Sequence, residues 1–212
     1  TLGGVPSIYG QFLYTPRDVD IYSWPFATPN GERSIFYRGG NDIINPLWAA
    51  KNYNESTLTN RFFNSASFSY DINDMFSLTY AFGFDTYNEF QERKFNRGGV
   101  QGPNVINGIY QTQDIKNTII NHDIRLNVSK EINSDLNFVG MIGFNARNDT
   151  FERDGLYSEN QGVFGLFRHF NFSTASSRSV AFGGRILNTT SEEQRMGVYI
   201  STQLDYKDYL FL

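Results

Sequence analysis

The chain of 212 residues contains no cysteine. That excludes a disulfide framework, a zinc ribbon and a thiol nucleophile, and leaves the redox compartment unmarked. Histidine is almost as scarce: His122 and His169 lie far apart, without an HExxH or i,i+4 partner, so a metal or general-base role has no second group to work with. Positive charge is not in excess either. With 18 Lys and Arg against 22 Asp and Glu, a formal charge of −4 and an isoelectric point near 5.2, the chain lacks the electrostatic footprint that neutralises phosphates in a nucleic-acid binder. No apolar run approaches the length of a membrane helix, and the opening Thr1, Leu2, Gly3 and Gly4 carry no charged segment ahead of an apolar core.

Trp and Met are rare, at 2 and 3, whereas Tyr and Phe number 13 and 20. Many aromatics in a chain of negative mean hydropathy fit pleated, half-buried surfaces, while 19 glycines and abundant Asn supply turns. Helix formers are comparatively few, and the composition indicates an all-β class.

Period-two patterning locates the strands. From Arg61, the residues Phe62, Ala66, Phe68 and Tyr70 alternate with Phe63, Ser65, Ser67, Ser69 and Asp71. After Asn73 and Asp74 the row resumes as Phe76, Leu78, Tyr80, Phe82 and Phe84 against Ser77, Thr79, Ala81, Gly83 and Asp85, a hairpin with Tyr70 expected opposite Phe76. A third strand carries Ile120, His122, Ile124, Leu126 and Val128 against Asn121, Asp123, Arg125, Asn127 and Ser129. A short turn at Asn133 leads to Leu136, Phe138, Gly140, Ile142 and Phe144, and a fifth strand holds Met196, Val198, Ile200, Leu204 and Tyr206 before a turn at Lys207 and Asp208.

The turns at Asn73, Asn133 and Lys207 are short, whereas 90–111 and 148–193 read as long and irregular. One sheet edge is trimmed and the other elaborated, as in outer-membrane barrels. His122 interrupts its apolar row about ten residues from the turn, about 25 Å of height at about 3.3 Å per residue and a tilt near 40°. Asn64 and the end of the row after Phe84 fall at a similar level, which matches the apolar band of a spanning sheet. The expected architecture is thus an antiparallel transmembrane β-barrel segment with long extracellular loops. Residues 1–60 read as an extracellular loop region with a strand near 8–14, and 61–212 as strands and loops of an incomplete barrel.

Particular residues carry a family resemblance: Leu13 to Asp20, Asn30 and Gly31, Asn45 to Ala49, Arg61 and Phe62 with a hairpin ending in Gly83, Phe84 and Asp85, and Gly197 to Leu210 with its turn Asp205, Tyr206, Lys207, Asp208, Tyr209, Leu210. In order and spacing they resemble the middle of SusC/RagA-type TonB-dependent transporters. The resemblance implies a barrel of about 22 strands closed by a plug, located in the cell outer membrane and importing oligosaccharides or peptides. It further implies a SusD-like surface lipoprotein as lid and TonB acting through a plug absent from this chain. About 220 residues are needed for such strands alone, so this chain reads as an internal fragment with about six or seven of them.

No catalytic constellation emerges. The pairs Asp18 with Asp20 and Glu192 with Glu193 read as solvated loop acids rather than glycosidase carboxylates. Asp71, Asn73 and Asp74 lack the Gly and distal Glu of a calcium loop, and Gly98, Gly99 and Gly102 do not form a phosphate-binding motif. No catalytic, metal or cofactor-binding residue, and no cofactor, is expected. The candidate lumen-facing residues are Asn121, Asp123, Arg125 and Asn127, a polar row that hydrocarbon would not tolerate. For Asp123 and Arg125 themselves, bracing of the wall is the favoured role. Among the loops, Tyr22, Trp24, Tyr37 and Trp48 sit among polar residues as sugar-binding platforms do, with mutual packing as the simpler explanation. Two readings follow: part of an outer-membrane TonB-dependent nutrient importer in contact with lipid, or a soluble carbohydrate-binding β-sandwich module.

Overall fold

A computed structural model describes residues 8–35, 37, 44–99, 107–176, 180–181, 185–207 and 210–211. Phe36 and the turn residues Asp208 and Tyr209 lie outside the described residues. In chain order the elements are α1 Ile8–Tyr14, α2 Pro46–Asn52, β1 Tyr53–Asp71, β2 Phe76–Phe95, β3 Ile109–Asn133, β4 Leu136–Gln161, a 3-10 turn His169–Asn171, β5 Phe172–Ser176, β6 Val180–Ala181, β7 Arg185–Ile186, β8 Thr189–Tyr206 and β9 Leu210–Phe211. One sheet runs β1-β2-β3-β4-β8-β9, with β5 paired antiparallel to β4, and β6 and β7 form a separate ribbon. The fold is all-β and antiparallel, as the alternating rows require.

Two expectations are corrected. Residues 8–14 are helix, not strand: Ile8 packs on the core and Gln11 is buried while Tyr9 and Leu13 stay exposed, a helical rather than an alternating partition. The strands also reach further than their apolar rows, since β2 continues to Phe95, β3 starts at Ile109 and β4 runs to Gln161. The ladder is held by backbone hydrogen bonds, so it goes on where the side-chain alternation fades.

Two compact units divide the chain. The first comprises 1–59, 89–115 and 153–189. Its core is Ile44, Trp48, Ala49, Phe95 and Ile109, with Tyr53 stacked on Phe95 at 4.6 Å and edge-on to Trp48 at 5.6 Å. Asn45 caps α2 by accepting the Leu47 amide at 3.0 Å, Pro46 occupies the first turn, and Lys51 lies in the last. The helix then passes directly into β1 at Tyr53. Buried amides knit this unit: Asn96 donates to Asn52 Oδ1 at 3.1 Å and accepts from Gln161 Nε2 at 3.1 Å and the Gly165 amide at 2.9 Å. Gly98, at φ +93°, lies against the Glu32 carbonyl where no Cβ would fit.

The second unit comprises 60–88, 116–152 and 190–212. Its turns share one chemistry. Asn73 Oδ1 accepts the Met75 and Phe76 amides, each at 2.9 Å, and Asn133 Oδ1 accepts the Asp135 amide at 2.9 Å. The first hairpin closes more tightly than expected: the Ile72 amide donates to the Phe76 carbonyl at 2.9 Å and Ser69 Oγ lies 3.3 Å from Thr79 Oγ1, so Ile72 rather than Tyr70 opposes Phe76. A two-residue shift leaves every side chain on its expected face. Ser129 donates its amide to the Met75 carbonyl at 2.9 Å, and Lys207 donates its own to the Asp135 carbonyl at 2.8 Å.

Candidate functional site

The polar face of the second unit is held together by side chains from four strands. Asn127 Nδ2 on β3 donates to Ser77 Oγ and Thr79 Oγ1 on β2 at 3.3 and 3.4 Å. Asn145 Nδ2 on β4 reaches Asn121 Oδ1 at 3.2 Å and Asp123 Oδ2 at 3.4 Å. Tyr199 on β8 donates its hydroxyl to Asp123 Oδ2 at 2.8 Å, and Arg125 Nε stands 3.0 Å from Asp123 Oδ1. Asn121, Asp123 and Arg125 therefore join one network through Asn145 and Tyr199, and Asn127 belongs to a separate cluster with Ser77 and Thr79.

Tyr199 was not among the sequence candidates, because one tyrosine in an alternating strand gives no sign of its partner. Its reach depends on Gly143. Tyr199 is on β8 and Asp123 on β3, so the ring crosses β4, and it does so over Gly143, where an added Cβ would overlap the ring carbons. Glycine in a strand normally weakens it; here its lack of a side chain lets a phenol bridge three strands.

The opposite face is apolar and open. Phe68, Leu78, Ile124, Ile142, Val198 and Ile200 are exposed, Val198 and Ile200 to 68% and 70%. His122 lies in this row, accepting from or donating to the Tyr80 hydroxyl at 2.8 Å and packing on Phe82 at 5.4 Å, which satisfies it without a ligand.

The loop aromatics separate. Trp24 and Tyr37 pack at 5.2 Å, and Tyr22, two residues before Trp24, is 84% exposed. Trp48 is fully buried at the centre of the first unit's core, which rules out a surface platform there. Asp20 organises the adjacent turn: its carboxylate accepts the Ser23 hydroxyl and the Ser23 and Tyr22 amides, and these bonds, that of the Ser23 hydroxyl foremost, lower its pKa. Glu192 and Glu193 are successive residues of β8 and point to opposite faces, so they cannot act as a carboxylate pair.

His169 belongs to a second polar cluster, in the first unit. Ser158 Oγ lies 2.9 Å from its Nδ1 and Thr112 Oγ1 3.0 Å from its Nε2, while the Tyr110 ring packs on it at 4.4 Å, tilted by 35°. A serine beside an imidazole has the composition of a nucleophile and base, but Ser158 is wholly buried and both ring nitrogens are occupied. The arrangement is a joint that fixes 162–171 to β3 and β4. Asn171 completes it, donating to the Val163 and Leu166 carbonyls at 2.8 Å each and accepting the Val163 amide at 2.9 Å. Among the described residues no group of three or more metal-ligating side chains gathers.

Comparison with solved structures defines the fold. The RagAB peptide transporter matches with a TM-score of 0.69 at 10% identity, covering 85% of this chain and 19% of that one. Structures of the RagAB peptide importer in the closed-closed and open-open states each match with a TM-score of 0.62 at 11% identity over the same shares. The chain thus spans about a fifth of the length of those chains, and its fold is that of an antiparallel barrel segment. No family model and no curated protein sequence matches it.

Two outcomes follow from this geometry. Gly143→Ala will destabilise the second unit by about 1–3 kcal/mol by displacing the Tyr199 ring from Asp123. In a Tyr199→Ala background the same substitution will cost much less, and equal losses in both backgrounds in thermal unfolding would reject the coupling. Burial lowers the His169 pKa below its ordinary value near 6.5, so its contribution is complete above that pH and is lost as pH falls and the unfolded chain takes up the proton more readily. Hydrogen-exchange protection of 162–171 will fall below about pH 6.5, by at most about tenfold per pH unit, and His169→Gln will abolish the dependence.

Proposed function

We propose that this chain is part of the wall of an outer-membrane, TonB-dependent nutrient importer that takes up peptides or oligosaccharides. The observation that carries the reading is the opposition of faces in the second unit, an exposed apolar row backed by a hydrogen-bonded polar row on the same strands. In a spanning sheet the first meets lipid and the second meets water or protein. Strand length supports it: β3 and β4 have 25 and 26 residues, about 80 Å of strand at about 3.3 Å per residue, far more than an apolar band of about 25 Å requires. The surplus carries the chain into the medium beyond the bilayer. Likeness of fold to a peptide transporter favours transport over catalysis.

In this reading the short turns at Asn73, Asn133 and Lys207 are periplasmic and 96–108 and 162–188 are extracellular. Energy comes from TonB through a plug domain, and a SusD-like lipoprotein covers the outer opening. The loop clamped by Asn171 suits such a partner, because it holds Val163 and Phe170 rigidly in the open, 62% and 82% exposed. The alternative, a soluble carbohydrate-binding sandwich, would need a second sheet over the apolar row; Tyr22, Trp24 and Tyr37 are the feature that favours it.

Spin labels at Leu78, Ile124, Ile142 and Val198 will respond to a membrane-soluble quencher in reconstituted full-length protein, and labels at Thr79 and Asn127 to an aqueous one. Reversal of that pattern, or uniform aqueous access, would reject the wall. Phe170→Asp will lower co-purification of the surface lipoprotein about tenfold without altering the barrel's unfolding; unchanged recovery would remove that loop from the interface.

A further inference from the structure

Three strands of the second unit repeat one device on the polar face. Arg125 on β3, Arg147 on β4 and Arg195 on β8 each have an acid two residues away on their own strand, namely Asp123, Asp149 and Glu193. Residues i and i+2 share a face, so each pair lies side by side. The nearest approach is through Nε in every case: hydrogen bonds of 3.0 and 3.1 Å to the two oxygens of Asp149 for Arg147 and of 2.7 Å for Arg195, and for Arg125 an ion pair at 3.0 Å without hydrogen-bond alignment. Their Nη groups have no acceptor among the described residues. Arg61 is different, since it spends Nε and Nη2 together on Asp85 at 2.9 and 2.6 Å, the fork-to-fork geometry of a structural brace.

Arg147 and Arg195 are also placed to act together. Asn148 Nδ2 donates to Glu192 Oε1 at 3.1 Å, a tie between β4 and β8 that lies one residue from Arg147 and three from Arg195. Diagonal neighbours on adjacent strands are about 7–8 Å apart, within reach of long side chains. Resting on the reading of this face as the wall of an aqueous path, we propose that the free Nη groups of Arg147 and Arg195 form a binding site for a carboxylate carried by the transported solute. Planar guanidinium groups match a carboxylate bidentately, and the acids on Nε fix their orientation in advance. Because Asp149 and Glu193 already balance both charges, the site favours a monoanion over a phosphate dianion and releases it readily, as a path requires.

The test uses purified full-length protein in detergent at about 0.1 M salt and two acetylated, amidated hexapeptides, one alternating Gly and Glu, the other Gly and Gln. The Glu peptide will bind about tenfold more tightly. Arg147→Gln with Arg195→Gln will erase the difference, whereas Arg61→Gln, whose fork is already spent, will leave it. Asp149→Asn with Glu193→Gln will tighten the Glu peptide several-fold and leave the Gln peptide unchanged, the opposite of what structural pairing alone would give. Equal affinities in the unaltered protein, or weaker Glu-peptide binding when the acids are removed, would overturn the proposal, and these two comparisons decide it even where the arginine variant does not fold. Uptake into vesicles separates this from the broader reading: discrimination in binding without any uptake would refute import alone, and uptake that ignores the replacement of Glu by Gln would refute the carboxylate site alone.

Discussion

A strand turns successive side chains to opposite faces, so in the second unit the parity of each residue commits it to one of two environments. Everything else there is subordinate to that constraint. Phe68, Leu78, Ile124, Ile142 and Val198 can lie open because they share one face, and Asn127, Asp123 and Tyr199 can bond across strands because they share the other. A single-residue slip of β3 would place Asp123 and Arg125 in the apolar row, away from Asn145 and Tyr199. A slip of two residues, as between the expected and observed closures of the first hairpin, leaves the partition untouched.

Charge on the polar face is neutralised within strands more than between them. The pairs Asp123 with Arg125, Arg147 with Asp149 and Glu193 with Arg195 each remain intact however the neighbouring strand is registered. Exposed pairs of this kind add little to stability. Their value lies in orientation, since a guanidinium pinned at Nε presents its remaining N–H groups in a fixed direction. Neutral hydrogen bonds between strands, such as Asn145 to Asn121, supply the lateral ties.

The sequence shows the strands of the second unit more readily than the core of the first. Alternation from Arg61 to Phe90 and from Ile120 to Phe144 reports a medium on each face, and Asn73 and Asn133 mark their turns through an amide oxygen that accepts backbone N–H groups. Helix α1 is hidden because a seven-residue stretch such as Ile8 to Tyr14 is too short for its period to show. Trp48 reads as a loop aromatic until α2 turns it into the core, and that core draws Phe95 and Ile109 from distant parts of the chain. That Asn121 to Asn127 share one strand face is legible in the sequence, whereas the reach of Tyr199 is not, since its partner lies two strands away. The spacing of two between acid and arginine is plain in the sequence, but only the distances separate Nε pinning from the fork-to-fork brace of Arg61.

The crossing of Tyr199 over Gly143 bears on how the sheet finds its alignment. A shift of β4 by two residues is the cheapest error available to a face-segregated strand, because parity survives it. Such a shift would bring Met141 or Asn145 beneath the phenol ring, and neither leaves room for it. Glycine at this one position therefore works as an alignment key during assembly: only when β3, β4 and β8 are all in step can the ring lie flat and its hydroxyl find Asp123.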